Sequence, residues 1–162
     1  MAEGQGRNAV NLAELGHWVI AQDLSPVGLA MAAQLATERG VQLQISCCDL
    51  QNFEPEAESF VLVVAIWMHL PPILRAQVNR RMVEALRSDG LVILEAYSPS
   101  QLEMGSGGPP SLEMLQSAQQ LKQELSGLVW LVMGEQKRWI EEGPYHHCQS
   151  AVVQACVGMG VN

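Results

Sequence analysis

Basic residues are scarce in this sequence. Lys and Arg number 9 against 17 Asp and Glu, a formal charge of −8. Phosphate backbones and anionic membranes are gripped by basic faces, so neither nucleic acid nor a membrane is an expected partner. Aromatic residues make up only 5% of the chain. Trp18, Trp67, Trp130 and Trp139 are therefore expected as core or pocket walls rather than as a base-stacking platform. No apolar run approaches the ~18 residues of a membrane-spanning helix. The longest, Phe60 to Met68, has the length of a strand. The opening MAEGQGRN lacks the basic and apolar regions of a signal peptide. Four cysteines in 162 residues do not make a disulfide framework. A reducing, cytoplasmic setting is the expectation.

Hydrophobic residues are 48% of the chain, enough for one globular domain over residues 1–162. Helical and strand patterns alternate along it. Asn8 to Leu15 reads as a helix that Gly16 ends. His17 to Asp23 reads as a short buried strand. Ser25-Pro26 has the residue types of a helix start, and Gly40 closes that helix after Arg39. Val41 to Cys47 alternates as a half-exposed strand. Phe60 to Trp67 is continuously apolar, as a central strand buried on both faces would be. Pro71-Pro72 opens a helix to about Arg87, Asp89-Gly90 reads as a turn, and Leu91 to Tyr97 as another buried strand. Residues 98–110 are rich in Gly, Pro and Ser and long enough to be a loop with a job, a lid or a connector. Ser111 is expected to cap a helix to about Leu125. Leu128 to Ile140 and Ser150 to Val157 would then form a terminal antiparallel hairpin. The whole reads as α/β: a doubly wound, mostly parallel, Rossmann-like sheet.

The chemistry concentrates where strands end. Glu3-Gly4-Gln5-Gly6-Arg7-Asn8 places two glycines at the start of the first helix. There the backbone can turn tightly and approach a ligand. Asp23 ends the next strand, a position from which a carboxylate can accept both hydroxyls of a ribose. Asp49 follows the Val41 to Cys47 strand and can accept an amine proton of an adenine. Three acidic groups thus fall at successive strand ends, the side on which open α/β sheets bind ligands. Taken singly, Asp23 could only cap the Ser25 helix and Asp49 could be a loop aspartate. GQGRNA also fits the loose dinucleotide pattern G-x-G-x-x-A, so an NAD-dependent oxidoreductase is a rival reading. Against it, Glu3 would repel a pyrophosphate, and the chain has no second substrate domain. A sulfonium ligand bearing an α-amino group would welcome Glu3.

With these residues in view, the chain resembles a class I S-adenosylmethionine-dependent methyltransferase, of the small tellurite-resistance type. The segments that carry the likeness are AEGQGRNAVNLAELGH, VIAQDLSPVGLAMA, CCDLQNF, WMHLPP and LVILEAYSPSQL with GSGGPPS. The resemblance implies S-adenosylmethionine as cofactor and methyl transfer to a small-molecule acceptor. It implies that Glu3, Gly4, Gly6 and Arg7 surround the methionine part, that Asp23 and Leu24 hold the ribose, and that Asp49 and Leu50 hold the adenine. Ile66 would lie near the sulfonium. The family carries a buried first strand just before the acidic-Gly-x-Gly turn, and here Met1 lies inside that turn. A truncated chain without that central strand is therefore expected, and a non-catalytic fragment or interaction module is the alternative from another class.

His69, just past the central strand, is the best-placed general base if the acceptor must lose a proton. Packing against the Pro71-Pro72 helix start is its plainer role. Glu95 and Tyr97 could line an acceptor pocket or be structural. His146-His147-Cys148 with Cys156 lacks the spacing of a zinc site, so no metal is expected. A homodimer is a possible assembly.

Overall fold

The computed structural model describes residues 1–141 and 147–160. The backbone divides into two compact units, Met1–Phe53 and Glu54–Asn162.

The first unit holds α1 (Arg7–Glu14), β1 (Ile20–Asp23), α2 (Pro26–Glu38) and β2 (Gln44–Cys47). β1 and β2 run parallel, with Ile20 opposite Gln44 and Asp23 opposite Cys47. Gly6 is the N-cap of α1 with φ 90°, a left-handed conformation that glycine adopts without Cβ strain. A Cβ at Gly6 would also lie 2.6 Å from the Cβ of Ala32, so a side chain there would force α1 and α2 apart. Ser25 starts α2 as its sequence promises, its Oγ accepting the Gly28 N–H at 3.1 Å, with Pro26 at the first helical position. Ala9, Ala21 and Leu29 form the small core of this unit, each at most 2% exposed. β1 begins at Ile20, three residues later than the apolar pattern indicates. Its partner strand begins at Gln44, leaving His17 and Trp18 no strand to pair with, and Trp18 is exposed.

The second unit holds β3 (Phe60–Ile66), α3 (Pro72–Ala85), β4 (Leu86–Tyr97), α4 (Ala118–Glu124), β5 (Leu128–Glu141) and β6 (His147–Met159). They form a four-stranded sheet in the order β3-β4-β6-β5. β3 and β4 are parallel; β6 is antiparallel to both β4 and β5. The terminal hairpin is present, with its second strand inside the sheet and its first at the edge. The architecture is Rossmann-like α/β. Val92, Val152, Val153 and Val157 are fully buried, and each such side chain contributes about 1.5–3 kcal/mol of burial.

Two local readings are corrected by the structure. Asp89-Gly90 does not break the chain between helix and strand: β4 runs through it, and the extra residues are absorbed as a register shift between Phe60 and Leu62. Helix α4 starts at Ser117, not Ser111; Leu112–Met114 is a single 3-10 turn. Ser117 and Gln120 form a reciprocal capping box, which satisfies two orphan N–H groups where Ser111 offers no side-chain cap.

α3 and α4 are fastened by a buried ion pair. Arg75, 2% exposed, donates from Nε and Nη2 to the carboxylate of Glu124 at 2.8–3.1 Å and from Nη1 to the Glu113 carbonyl at 2.9 Å. Asn79 donates to the same carboxylate at 2.7 Å. The 98–110 segment is also pinned. Buried Gln101 accepts the Ala151 N–H at 2.8 Å and donates to the carbonyls of Ser106 and Gly107.

Candidate functional site

The glycine turn, the end of β1 and the end of β2 come together in the first unit. Gly4, with φ 63°, donates its N–H to Oδ2 of Asp23 at 2.8 Å. The Ser25 N–H donates to Oδ1 of Asp23 at 2.8 Å. One carboxylate thus joins the glycine turn to the start of α2. Each of its oxygens keeps a further lone pair that can accept a ligand hydroxyl. The Glu3 N–H donates to the Gln22 carbonyl at 3.0 Å, and its Oε1 accepts the Ala9 N–H at 2.8 Å. A Cβ built on Gly4 meets nothing within 4 Å, so that side of the turn is open space.

Gln22 ties in the third acidic position. It is 2% exposed, its Nε2 donates to the Cys48 carbonyl at 2.7 Å, and its Oε1 accepts the Ala2 N–H at 3.3 Å. The Cys48 N–H donates to the Asp23 carbonyl at 3.1 Å. Asp49 is the next residue, and its Oδ1 accepts the Gln51 N–H at 2.8 Å in a local turn. Sequence reasoning missed Gln22. Its signal is a lone amide inside the apolar strand segment VIAQD, where a buried polar group needs partners.

Burial dominates the electrostatics here. It pushes the Glu3 carboxyl above the ordinary carboxylate range, against the pull of the Ala9 N–H, the Met1 ammonium and the Asn8 N–H; nearby Asp23 pushes the same way as burial. The Met1 ammonium is lowered by burial, while Glu3 and Asp23 draw it back up. The site is therefore acidic and partly dehydrated, suited to a cation. Leu24 is exposed beside Asp23, Leu50 is buried beside Asp49, and Arg7 is exposed on the first turn of α1.

In the second unit, Ile66 ends β3 half-buried. Trp67 follows with φ 61°, a left-handed conformation unusual for a bulky residue. The turn brings Trp67 and His69 onto Tyr97. The Trp67 and Tyr97 rings lie 4.7 Å apart, and His69 stacks on Tyr97 at 5.3 Å with 14° between planes. Glu95 does not line an open pocket: it is buried, its Oε1 takes Nε and Nη2 of Arg138 at 2.8 and 2.6 Å, and its Oε2 takes Gln154 at 3.0 Å. A cavity of about 650 Å³ lies at the other end of β4, lined by Ser88, Gly90, Val129 and Gly158, and contains none of the candidate residues. Among the described residues no cluster of His, Cys, Asp and Glu could hold a metal; His146 lies outside them.

Residues 1–90 match the family model described as a methyltransferase domain. The chain belongs to that family. No curated protein matches the sequence. Solved structures share the fold of this methyltransferase at low identity. TehB from Haemophilus influenzae superposes with TM-score 0.81 at 16% identity, over 98% of this chain and 56% of that one. An S-adenosylmethionine-dependent methyltransferase from Clostridium acetobutylicum gives TM-score 0.70 at 15% identity, over 99% and 82%. The N-methyltransferase NodS from Bradyrhizobium japonicum gives 0.71 at 15%, over 96% and 81%. The fold is shared with S-adenosylmethionine-dependent methyltransferases, and the chain carries a methyltransferase domain. The dinucleotide reading of GQGRNA is set aside by that membership.

Proposed function

We propose that Glu3, Gly4, Gly6, Arg7, Asp23, Leu24, Asp49, Leu50 and Ile66 hold the methyl donor, and that the acceptor is a small molecule. The observation that carries this reading is the 2.8 Å bond from the Gly4 N–H to the Asp23 carboxylate. It builds one acidic cradle from the turn and the β1 end, with open space over Gly4. The residues fit the cofactor's chemistry. Glu3 is a carboxylate for an α-amino group, Asp23 has lone pairs for vicinal hydroxyls, and Asp49 keeps an acceptor for an exocyclic amine.

When bound, S-adenosylmethionine supplies a methyl carbon on positive sulfur. The protein's part is alignment and exclusion of water. The Trp67, His69 and Tyr97 rings form an aromatic cluster at the carboxyl ends of β3 and β4. In this reading His69 takes the proton when the acceptor has one to lose. The net charge of −8 argues against a nucleic-acid acceptor. No helix among the described residues is long and apolar enough to cross a membrane, and a cytoplasmic enzyme that pairs with a second copy completes the proposal.

Isothermal titration with S-adenosylhomocysteine and with NAD tests it. Binding of the first and not the second is expected. Binding of neither identifies a non-catalytic module, and binding of NAD alone removes the cradle assignment.

A further inference from the structure

We propose that β5 is a dimerisation edge, which pairs antiparallel with β5 of a second copy about a two-fold axis at Gln136. The inference is independent of the cofactor reading. β5 is the outer strand of the order β3-β4-β6-β5, and β6 is its one strand partner among the described residues. It runs Leu128–Glu141, about 45 Å at the usual strand rise, and contains no proline. Such an edge presents a row of N–H and C=O groups that template another strand. Val132 and Trp139 are each 60% exposed and Leu131 58%. The one register irregularity lies between Trp130 and Val132, so Val132 to Glu141 is unbroken strand.

Parity, charge and length of overlap then choose the register: an axis on Trp139 would also oppose Lys137 to Glu141, but it pairs only the last five residues of β5. In an antiparallel ladder, residues that face each other must both point their N–H and C=O inward or both outward. A two-fold axis must therefore fall on a residue, not between two. An axis on Glu135 or on Lys137 sets like charges face to face. An axis on Arg138 sets Glu135 against Glu141. An axis on Gly134 sets Glu135 and Lys137 against Met133 and Leu131. An axis on Gln136 sets Glu135 opposite the partner's Lys137, twice by symmetry, and Met133 opposite the partner's Trp139. Arg138 then faces Gly134 and keeps its own bond to Glu95 at 2.6 Å. Glu135 and Lys137 are both exposed, and the Glu135 carboxylate spends only Oε1, on the Ala118 N–H.

Sedimentation across a series from micromolar to millimolar protein tests the pairing. The wild-type chain should form dimers. Lys137→Glu alone and Glu135→Lys alone should each weaken the dimer about ten- to thirtyfold, because each puts like charges opposite at two places. An equimolar mixture of the two variants should restore it, since each then faces the opposite sign. A wild-type chain that stays monomeric overturns the proposal. So does a dimer that ignores either substitution, or a mixture that fails to reassociate. Circular dichroism checks that Glu135→Lys leaves α4 folded. If it does not, hydrogen exchange on the wild type decides: β5 amides must gain protection as concentration rises, and unchanged exchange overturns the pairing.

Discussion

Asp23 has a structural role and a proposed ligand role, and its substitutions must be read accordingly. Its carboxylate accepts N–H groups from Gly4 and Ser25, so it organises the cradle before any ligand arrives. Asp23→Ala leaves both donors without their acceptor, at about 1–3 kcal/mol if they stay dry. Asp23→Asn keeps one carbonyl oxygen and should fold nearly as well as the parent. Both should weaken S-adenosylhomocysteine binding at least tenfold by calorimetry. Unchanged affinity in Asp23→Asn would remove the ribose role and leave only the capping one. Glu3 offers a separate handle. Its pKa is raised in the fold by burial. The folded chain thus holds a proton over a pH range in which the unfolded chain has released it. Glu3's contribution to stability is full below the ordinary carboxylate range and is lost as pH rises through the raised value. Ligand binding should run the other way, since an α-amino cation needs Glu3 ionised. S-adenosylhomocysteine affinity should fall as pH drops through that raised value, and Glu3→Gln should flatten the profile, measured from about pH 8 to pH 5.

Individual elements show what the sequence makes visible and what it hides. The Ser25-Pro26 start of α2 is legible because its causes are local, a cap and a fixed φ; the apolar run of β3 reads correctly as a strand but not as a central one buried on both faces, since β3 ends the order β3-β4-β6-β5 and Val61 is 47% exposed. Gly6 is legible as a turn but not as a contact, because its neighbour Ala32 lies on another helix. A comparison with Gly16 separates the two effects. Both have φ 90°, but a Cβ on Gly16 meets nothing within 4 Å. Gly16→Ala should cost about 1 kcal/mol of left-handed strain, and Gly6→Ala clearly more, read as melting temperature. Equal losses would mean that α1 and α2 can part freely. The Arg75–Glu124 pair is the least legible feature, since its partners lie 49 residues apart and each reads as an ordinary surface charge of a helix. Arg75→Ala should cost about 3 kcal/mol by leaving the half-buried Glu124 carboxylate without its cation and with only the Asn79 donor. The double substitution Arg75→Met with Glu124→Leu should recover most of that in chemical denaturation. The misplaced start of α4 belongs to the same lesson. Ser111 and Ser117 are both plausible caps, and only the Gln120 side chain folding back decides between them.

For the whole molecule, the candidate site is the sharpest test of how the chain works. Glu3 and Asp23 are readable as carboxylates at the glycine turn and a strand end, and Gln22, which ties the β1 end to Cys48, is not, because its partners on residues 2 and 48 meet only in the fold. The cradle residues all fall in Met1–Phe53, whereas Ile66, His69 and Tyr97 fall in Glu54–Asn162. A ligand that binds only the native state stabilises it by RT ln(1 + [L]/Kd), about 2.7 kcal/mol at a hundredfold excess over Kd. S-adenosylhomocysteine should therefore raise the melting temperature in one transition, and NAD should leave it unchanged. Hydrogen exchange gives the finer answer. Ligand should slow exchange at Gly4 to Gly6 and at Asp23 to Ser25. Unchanged exchange at those amides would remove the glycine turn and Asp23 from the ligand's site, and would leave Asp23 only its capping of the Gly4 and Ser25 N–H groups.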